Sequence, residues 1–333
     1  MKKIIPLVLL IISILITGCG KQGKKDVIND LKKKLNDIPS YKLEGDLEIV
    51  NNDDVYKYKV ESSYKKKDKY KVSLTNKSNS YCQVILKNDD GVYVVTPALN
   101  KSFKFQSDWP YNNSQIYLLG SLLDDIKEDD KAELKITKDS YRFTTNVNYP
   151  NNRKLVKQRI VFDKKLNLKQ VKVFDENNVP LMTLKVSDID YSPIFKNKYF
   201  TVNETLKTIS TDENVKTTSS LEDTIYPLFL PKGTKLSTEE KVKKDNNGNR
   251  IIMTFDGEKP FLLVEESVSK NDEMTIVPTY GEPFMLMDSF GAITDNSITW
   301  TSGGIEYYIV SDVLSQDELL EIAQSINVIP TMK

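Results

Sequence analysis

From Tyr41 onward the side chains change character every second residue, and that period decides the fold class. Leu43, Leu47 and Ile49 alternate with charged residues, and the same grammar runs through Val55–Ser63, Tyr70–Thr75, Cys82–Leu86, Val92–Thr96 and Phe103–Phe105. Successive side chains of a strand point to opposite faces, so each run presents one apolar and one polar face. Short polar clusters separate the runs: Asn51–Asp54, Lys65–Asp68, Asn76–Ser80, Asn88–Gly91 and Pro97–Asn100. Links of this kind join neighbouring antiparallel strands, so the chain is predicted to contain an antiparallel meander. Lys65, Lys66, Lys67 and Lys69 read as a charged hairpin tip that blunts a strand edge, with contact to an acidic surface as the alternative.

Two helices are available to cover the apolar face. In Asp26–Asp37, Val27, Leu31 and Leu35 recur at a spacing of four, Asp26 suits the N-terminus and Pro39 stops the helix. After Trp109-Pro110, Asn113 or Ser114 can cap a helix running to about Lys127, with Ile116, Leu119, Leu122, Leu123 and Ile126 on one face. This second helix reads as a core helix on the sheet or as a lid over a cavity, and the two roles are compatible.

Strands resume with Ala132–Lys138, Tyr141–Val147, Lys154–Asp163, Leu168–Phe174 and Leu181–Tyr191, the last three forming a further meander. Thr201–Leu221 is rich in Thr, Ser, Asn and Asp and reads as a linker. Beyond it, Tyr226–Gly233 reads as a short strand entering a turn. Strands are then expected at Ile251–Phe255, Phe261–Val268, Thr275–Val277, Ala292–Trp300 and Ile305–Val310, with hairpin turns at Asn246–Asn249 and Ser302–Gly304. A last helix begins with Ser315 as N-cap and Glu318 completing a capping box. Trp300, Tyr307 and Tyr308 read as hairpin packing rather than a ligand box. The predicted organisation is a signal at 1–18, a tether at 19–25, a sheet domain at 26–202, a linker at 203–221 and a small C-terminal α+β domain at 222–333.

The N-terminus carries Lys2 and Lys3, an apolar run from Ile4 to Ile16, and Ile16-Thr17-Gly18-Cys19. A positive start, a short apolar stretch and a small-residue site are the parts of an export signal. The run is short for a spanning helix, which needs roughly 20 apolar residues. The pattern resembles the bacterial lipobox, which implies cleavage before Cys19 and lipidation of its thiol, with further acylation such as palmitate on the amine. Two or more acyl chains hold a protein stably on a membrane, so the remainder is expected to be a lipid-anchored ectodomain.

Composition removes many kinds of chemistry. Histidine is absent, which excludes Ser-His-Asp and Cys-His catalysis and every His-containing zinc site. With Cys19 lipidated, Cys82 stands alone and no internal disulfide can form. Its strand-like surroundings suit a buried small hydrophobe. Lys+Arg and Asp+Glu are equal at 47 each, and loss of Lys2 and Lys3 with the signal leaves the acids slightly ahead; a nucleic-acid partner usually goes with a strongly basic domain. Asp124, Asp125, Glu128, Asp129 and Asp130 form the densest acidic run, read as a solvated turn after a helix rather than a cation loop. No catalytic, cofactor-binding or metal-binding residues are assigned, no cofactor is expected, and the chain is read as a non-enzyme.

One helix, about six antiparallel strands, a mid-chain helix and about five more strands, closing on Val186-Ser-Asp-Ile-Asp-Tyr-Ser-Pro-Ile-Phe195 and Tyr199-Phe200, resemble the LolA/LolB/RseB class. Within it the chain looks most like the lipid-anchored sporulation and germination lipoproteins (GerS- or YdcC-like) of Gram-positive spore formers. The resemblance implies an α+β fold, a curved antiparallel half-barrel enclosing helices around an apolar cavity, followed by a small α/β module. It also implies a non-enzymatic binding protein that assists a cell-wall amidase acting on cortex peptidoglycan. The expected place is the outer face of the cell membrane, including the mother cell/forespore intermembrane space. The alternative is a lipid or lipoprotein acceptor or sensor with an acyl chain in the cavity, since an acylated Cys19 forbids a soluble shuttle.

Overall fold

The computed structural model describes residues 23–51, 54–111, 114–149, 152–209, 221, 223–243, 248–286 and 289–326. The first helix, α1 (Lys24–Asp37), buries Val27 and Leu31. Six strands follow: β1 (Ser40–Asn51), β2 (Asp54–Lys65), β3 (Lys69–Asn76), β4 (Cys82–Asn88), β5 (Gly91–Thr96) and β6 (Lys101–Phe105). After α2 (Leu119–Glu128) come β7 (Glu133–Ile136), β8 (Ser140–Asn146), β9 (Lys157–Asp163), β10 (Leu168–Phe174) and β11 (Pro180–Asp190). Both meanders pair antiparallel and meet where β1 lies against β11, so one sheet runs β6-β5-β4-β3-β2-β1-β11-β10-β9-β8-β7.

This sheet is open, with β7 at one edge. Its strands alternate as the sequence demands: Leu43, Leu47, Val60, Val72, Phe143, Ile160, Val171 and Leu184 are all fully buried in one core with α1 and α2. At about 4.8 Å per strand such a sheet is about 50 Å wide, whereas the two helices are only a few turns long and about 10 Å across. Strands from both meanders can share one core with them only if the sheet curls around the helices. Gly45 permits this at the β1–β11 seam, where the register shifts between Glu44 and Gly45. A Cβ on Gly45 would stand 2.6 Å from the Lys185 carbonyl oxygen.

The opposite face is covered locally. Val84, Leu86, Tyr93 and Val95 pack with Phe200 and with Val202 and Leu206 of α3 (Val202–Ile209). The sequence predicts a linker over 203–221, but α3 occupies its first residues; the helix buries Val202, Thr205 and Leu206, a stripe short enough to be lost among threonines. Residues 210–220 lie outside the described residues.

The C-terminal region forms a seven-stranded antiparallel sheet in the order β12 (Thr234–Lys243), β13 (Asn249–Gly257), β14 (Phe261–Ser267), β19 (Ile305–Val310), β18 (Ser297–Ser302), β17 (Phe290–Ile293), β16 (Glu282–Met285). Its inner face is closed by α4 (Gln316–Gln324), whose Ser315–Glu318 capping box forms as expected. Trp300 and Tyr307 stack across the β18–β19 hairpin with ring centres 4.8 Å apart. The strand expected at Tyr226–Gly233 is not a strand; β12 begins one residue later, and the segment before it packs Ile225 and Leu230 on the small sheet's core. One strand of this region, β15 (Thr275–Thr279), crosses over and pairs parallel to β6, becoming the other edge of the large sheet.

Candidate functional site

The crossing strand brings the two sheets together, and a cleft lies where they meet. Thr275 and Asn271 donate their backbone N–H to Asn100 and Leu99 carbonyls at 3.1 and 3.0 Å. Below this, Gln83 of β4 is buried and spans the junction: its Oε1 accepts the Phe290 N–H at 2.6 Å and its Nε2 donates to Thr96 Oγ1 at 3.1 Å. Lys101 pairs with Glu306 at 3.1 Å and Ser107 donates to Glu282 at 2.5 Å. Phe290 and Ala292, on β17, bury themselves in the large sheet's core.

The cleft has a volume of about 120 Å³. One wall is the end of β1 (Ile49, Val50, Asn51) with the start of β11 (Leu181, Met182); a second is the stretch Ser114–Tyr117; a third is the loop with Tyr149 and Leu155; and the roof is β16, Leu286, Phe290 and α4 residues Leu320 and Gln324. Lys154 is the one ionisable cation among these lining residues. The site offers an apolar slot with amide and hydroxyl groups at its rim, which suits an aliphatic or aromatic side chain or a length of hydrocarbon. Among the described residues no group of three or more Cys, Asp or Glu could hold a metal ion, and no helix is long and apolar enough to cross a membrane.

The wall at Ser114–Tyr117 differs from expectation. The helix starts at Leu119, not at Asn113 or Ser114; Asn113 lies outside the described residues. Ser114 Oγ instead donates to the Asp125 carboxylate at 2.8 Å, and Gln158 Nε2 of β9 donates to it at 2.5 Å. The sequence predicts Asp125, with its neighbours, in a solvated acidic turn, but burial pushes its carboxyl up to about 6, against the pull of these two hydrogen bonds. It fastens the cleft wall to the sheet. The helix itself is a core element, with Leu122 and Ile126 buried.

Cys19 lies outside the described residues. Cys82 is buried under α3 and Phe200, and burial pushes its thiol upward, as a packing residue requires. Lys69 pairs with Asp89 at 2.6 Å at the hairpin tip. Lys71, on the same outward face, is buried beside the Tyr199 ring, 4.5 Å from its centre, and desolvation lowers its ammonium to about 8. No sequence period marks the cleft residues, because they come from segments distant in the chain.

The chain is an open α+β scaffold whose large sheet buries two helices and carries an apolar cleft at its junction with a second sheet. The sporulation protein YdcC-like family model matches residues 1–200, and the chain belongs to that family. It is 36% identical over 316 residues to sporulation protein YdcC of Bacillus subtilis (strain 168), covering 94% of this chain and 93% of that protein. Among solved structures it is similar to a chain in the CwlD amidase from Clostridioides difficile in complex with the GerS lipoprotein (21% identity, 52% of this chain and 98% of that one, TM-score 0.32). It is also similar to one in the Pseudomonas aeruginosa MucA/MucB complex (10% identity, 90% and 98%, TM-score 0.32). A third is the LolA superfamily protein NE2245 from Nitrosomonas europaea (13% identity, 52% and 97%, TM-score 0.28). Likenesses this distant assign no partner to the present chain.

Proposed function

We propose that this chain is a membrane-anchored, non-catalytic binding lipoprotein of sporulation, a LolA-like half-barrel with a C-terminal module, which assists a cell-wall amidase acting on cortex peptidoglycan. The observation that carries the sporulation role is the 36% identity to a sporulation protein across nearly the whole chain. The amidase as partner rests on the sequence resemblance to germination lipoproteins, and GerS is itself described in complex with the CwlD amidase. Anchoring rests on the lipobox at Ile16–Cys19, and the proposed location is the outer face of the membrane around the developing spore. The apolar lining of the cleft supports a second reading, in which the cleft accepts an acyl chain of a lipid or lipoprotein.

The test is a mild-detergent pull-down of the tagged full-length protein from sporulating cells, analysed for proteins and lipids. A near-stoichiometric peptidoglycan amidase is the expected result. Bound lipid beyond the Cys19 anchor, with no protein partner, replaces the first reading with the second. Recovery of neither removes both.

A further inference from the structure

We propose that one end of the large sheet, the end where α1 begins, lies against the membrane, and that the exposed apolar residues of this rim contact the lipid surface. The inference rests on the lipid anchor at Cys19. Gly23 is the first described residue and opens α1. Only five residue steps separate Lys24 from Cys19, so at about 3.5 Å per residue α1 starts within about 18 Å of the Cys19 Cα. A tether this short fixes which end of the body faces the bilayer.

The register identifies that end. Lys24 Nζ donates to the Asp130 carbonyl at 3.4 Å, and the neighbouring Asp129 accepts from Thr145 and Asn146 at the end of β8. From there one lateral row crosses the sheet: Thr145 opposite Gln158, Gln158 opposite Val173, Val173 opposite Met182, Met182 opposite Ile49. Four strand spacings are about 19 Å. The rim at the end of this row includes the β10–β11 turn and the β1–β2 hairpin, and next to it sits the segment Tyr226–Phe229, since Asn51 donates to the Gln324 carbonyl and Leu228 N–H donates to the Ser325 carbonyl, both at 3.2 Å.

Exposed apolar side chains stand on this rim beside the polar turn residues Asp54, Asp175, Glu176, Asn177 and Asn178. Val55 is 53%, Val179 47% and Leu228 77% exposed, and Phe229 beside it is also exposed. Lys24 and Lys25 stand at the tether's origin, where anionic headgroups attract them. The opposite end, with Asp139 in the β7–β8 turn, faces away and remains open to a partner.

The experiment uses the full-length lipoprotein reconstituted in phosphatidylglycerol/phosphatidylcholine vesicles containing spin-labelled lipid. Val179→Cys, Leu228→Cys and Asp139→Cys are each labelled with an environment-sensitive dye; Cys82 is buried and stays unlabelled. Expected are blue-shifted, quenched dyes at 179 and 228 and an unquenched dye at 139. Protein that pellets with vesicles and carries modified Cys19 by mass spectrometry, yet shows no quenching at 179 and 228 or equal quenching at 139, overturns the orientation alone. Unmodified Cys19 with protein left in the supernatant overturns the anchor and the orientation with it.

Discussion

Glu265 gives the small sheet a stability that falls as pH rises. It lies on β14 with no exposed surface, between Ile251 and Tyr307 on the inner face. One carboxylate oxygen accepts the Ile225 N–H at 3.1 Å. Burial pushes the carboxyl from 4.5 up to about 7; the Ile225 bond and Lys241 pull it down, and Glu239 pushes it up. The folded chain therefore holds a proton between about pH 4.5 and 7 that the unfolded chain has released. Over that window stability decreases with pH, and it is flat above. At 1.36 kcal/mol per unit, the loss is up to about 3 kcal/mol. Glu265→Gln keeps the shape and a neutral side chain. Urea denaturation at pH 5 to 8, read by Trp300 two strands away in the same row, should show wild type losing stability with pH and the variant losing less. The variant should be the more stable at pH 8 and nearly equal at pH 5. Asp125 titrates with the same sign near 6, but it is common to both proteins and cancels in the difference. Parallel pH profiles for the two proteins would refute the reasoning.

Two further outcomes test the architecture. Gly45→Ala drives a methyl against the Lys185 carbonyl at the seam of the two meanders, and should lower the urea midpoint by the equivalent of about 1–3 kcal/mol or more, since backbone rather than a pliable side chain must give. Gln83→Leu leaves the buried Phe290 N–H and Thr96 hydroxyl without the amide that joins them; an orphaned buried group costs about 1–3 kcal/mol, and protease sensitivity should appear in residues 271–290 before the rest of the chain.

What the sequence made legible follows the range of each interaction. Strand alternation and Asn/Asp-rich turns act within a few residues, so the six-strand, helix, five-strand order is present in the structure. The Ser315–Glu318 box is local too, and α4 starts where it says. The β15–β6 pairing joins residues about 170 apart, and nothing in Thr275–Thr279 distinguishes it from a strand of the small sheet. α2 starts late because Ser114 bonds to Asp125 instead of capping, a choice made by burial against Gln158 that no local signal announces. The cleft is the extreme case, since each wall is an ordinary core segment until the other sheet closes over it.

That construction has a consequence for binding. A ligand in the cleft touches β1 and β11 on one side and β16, Phe290 and α4 on the other, so it bridges the two sheets and stabilises their junction by mass action. The coupling must run both ways: a lesion at the junction that never touches the ligand should weaken its binding. Gln83 is such a site, because it holds Phe290 by its backbone and does not line the cleft. If the partner or acyl chain enters the cleft, Gln83→Leu should reduce its binding severalfold, and the ligand should raise the melting temperature of the wild type more than that of the variant. If the partner instead docks on the outer surface of the large sheet, affinity for the two proteins will be the same, and the cleft is then a packing defect of the junction and not a site.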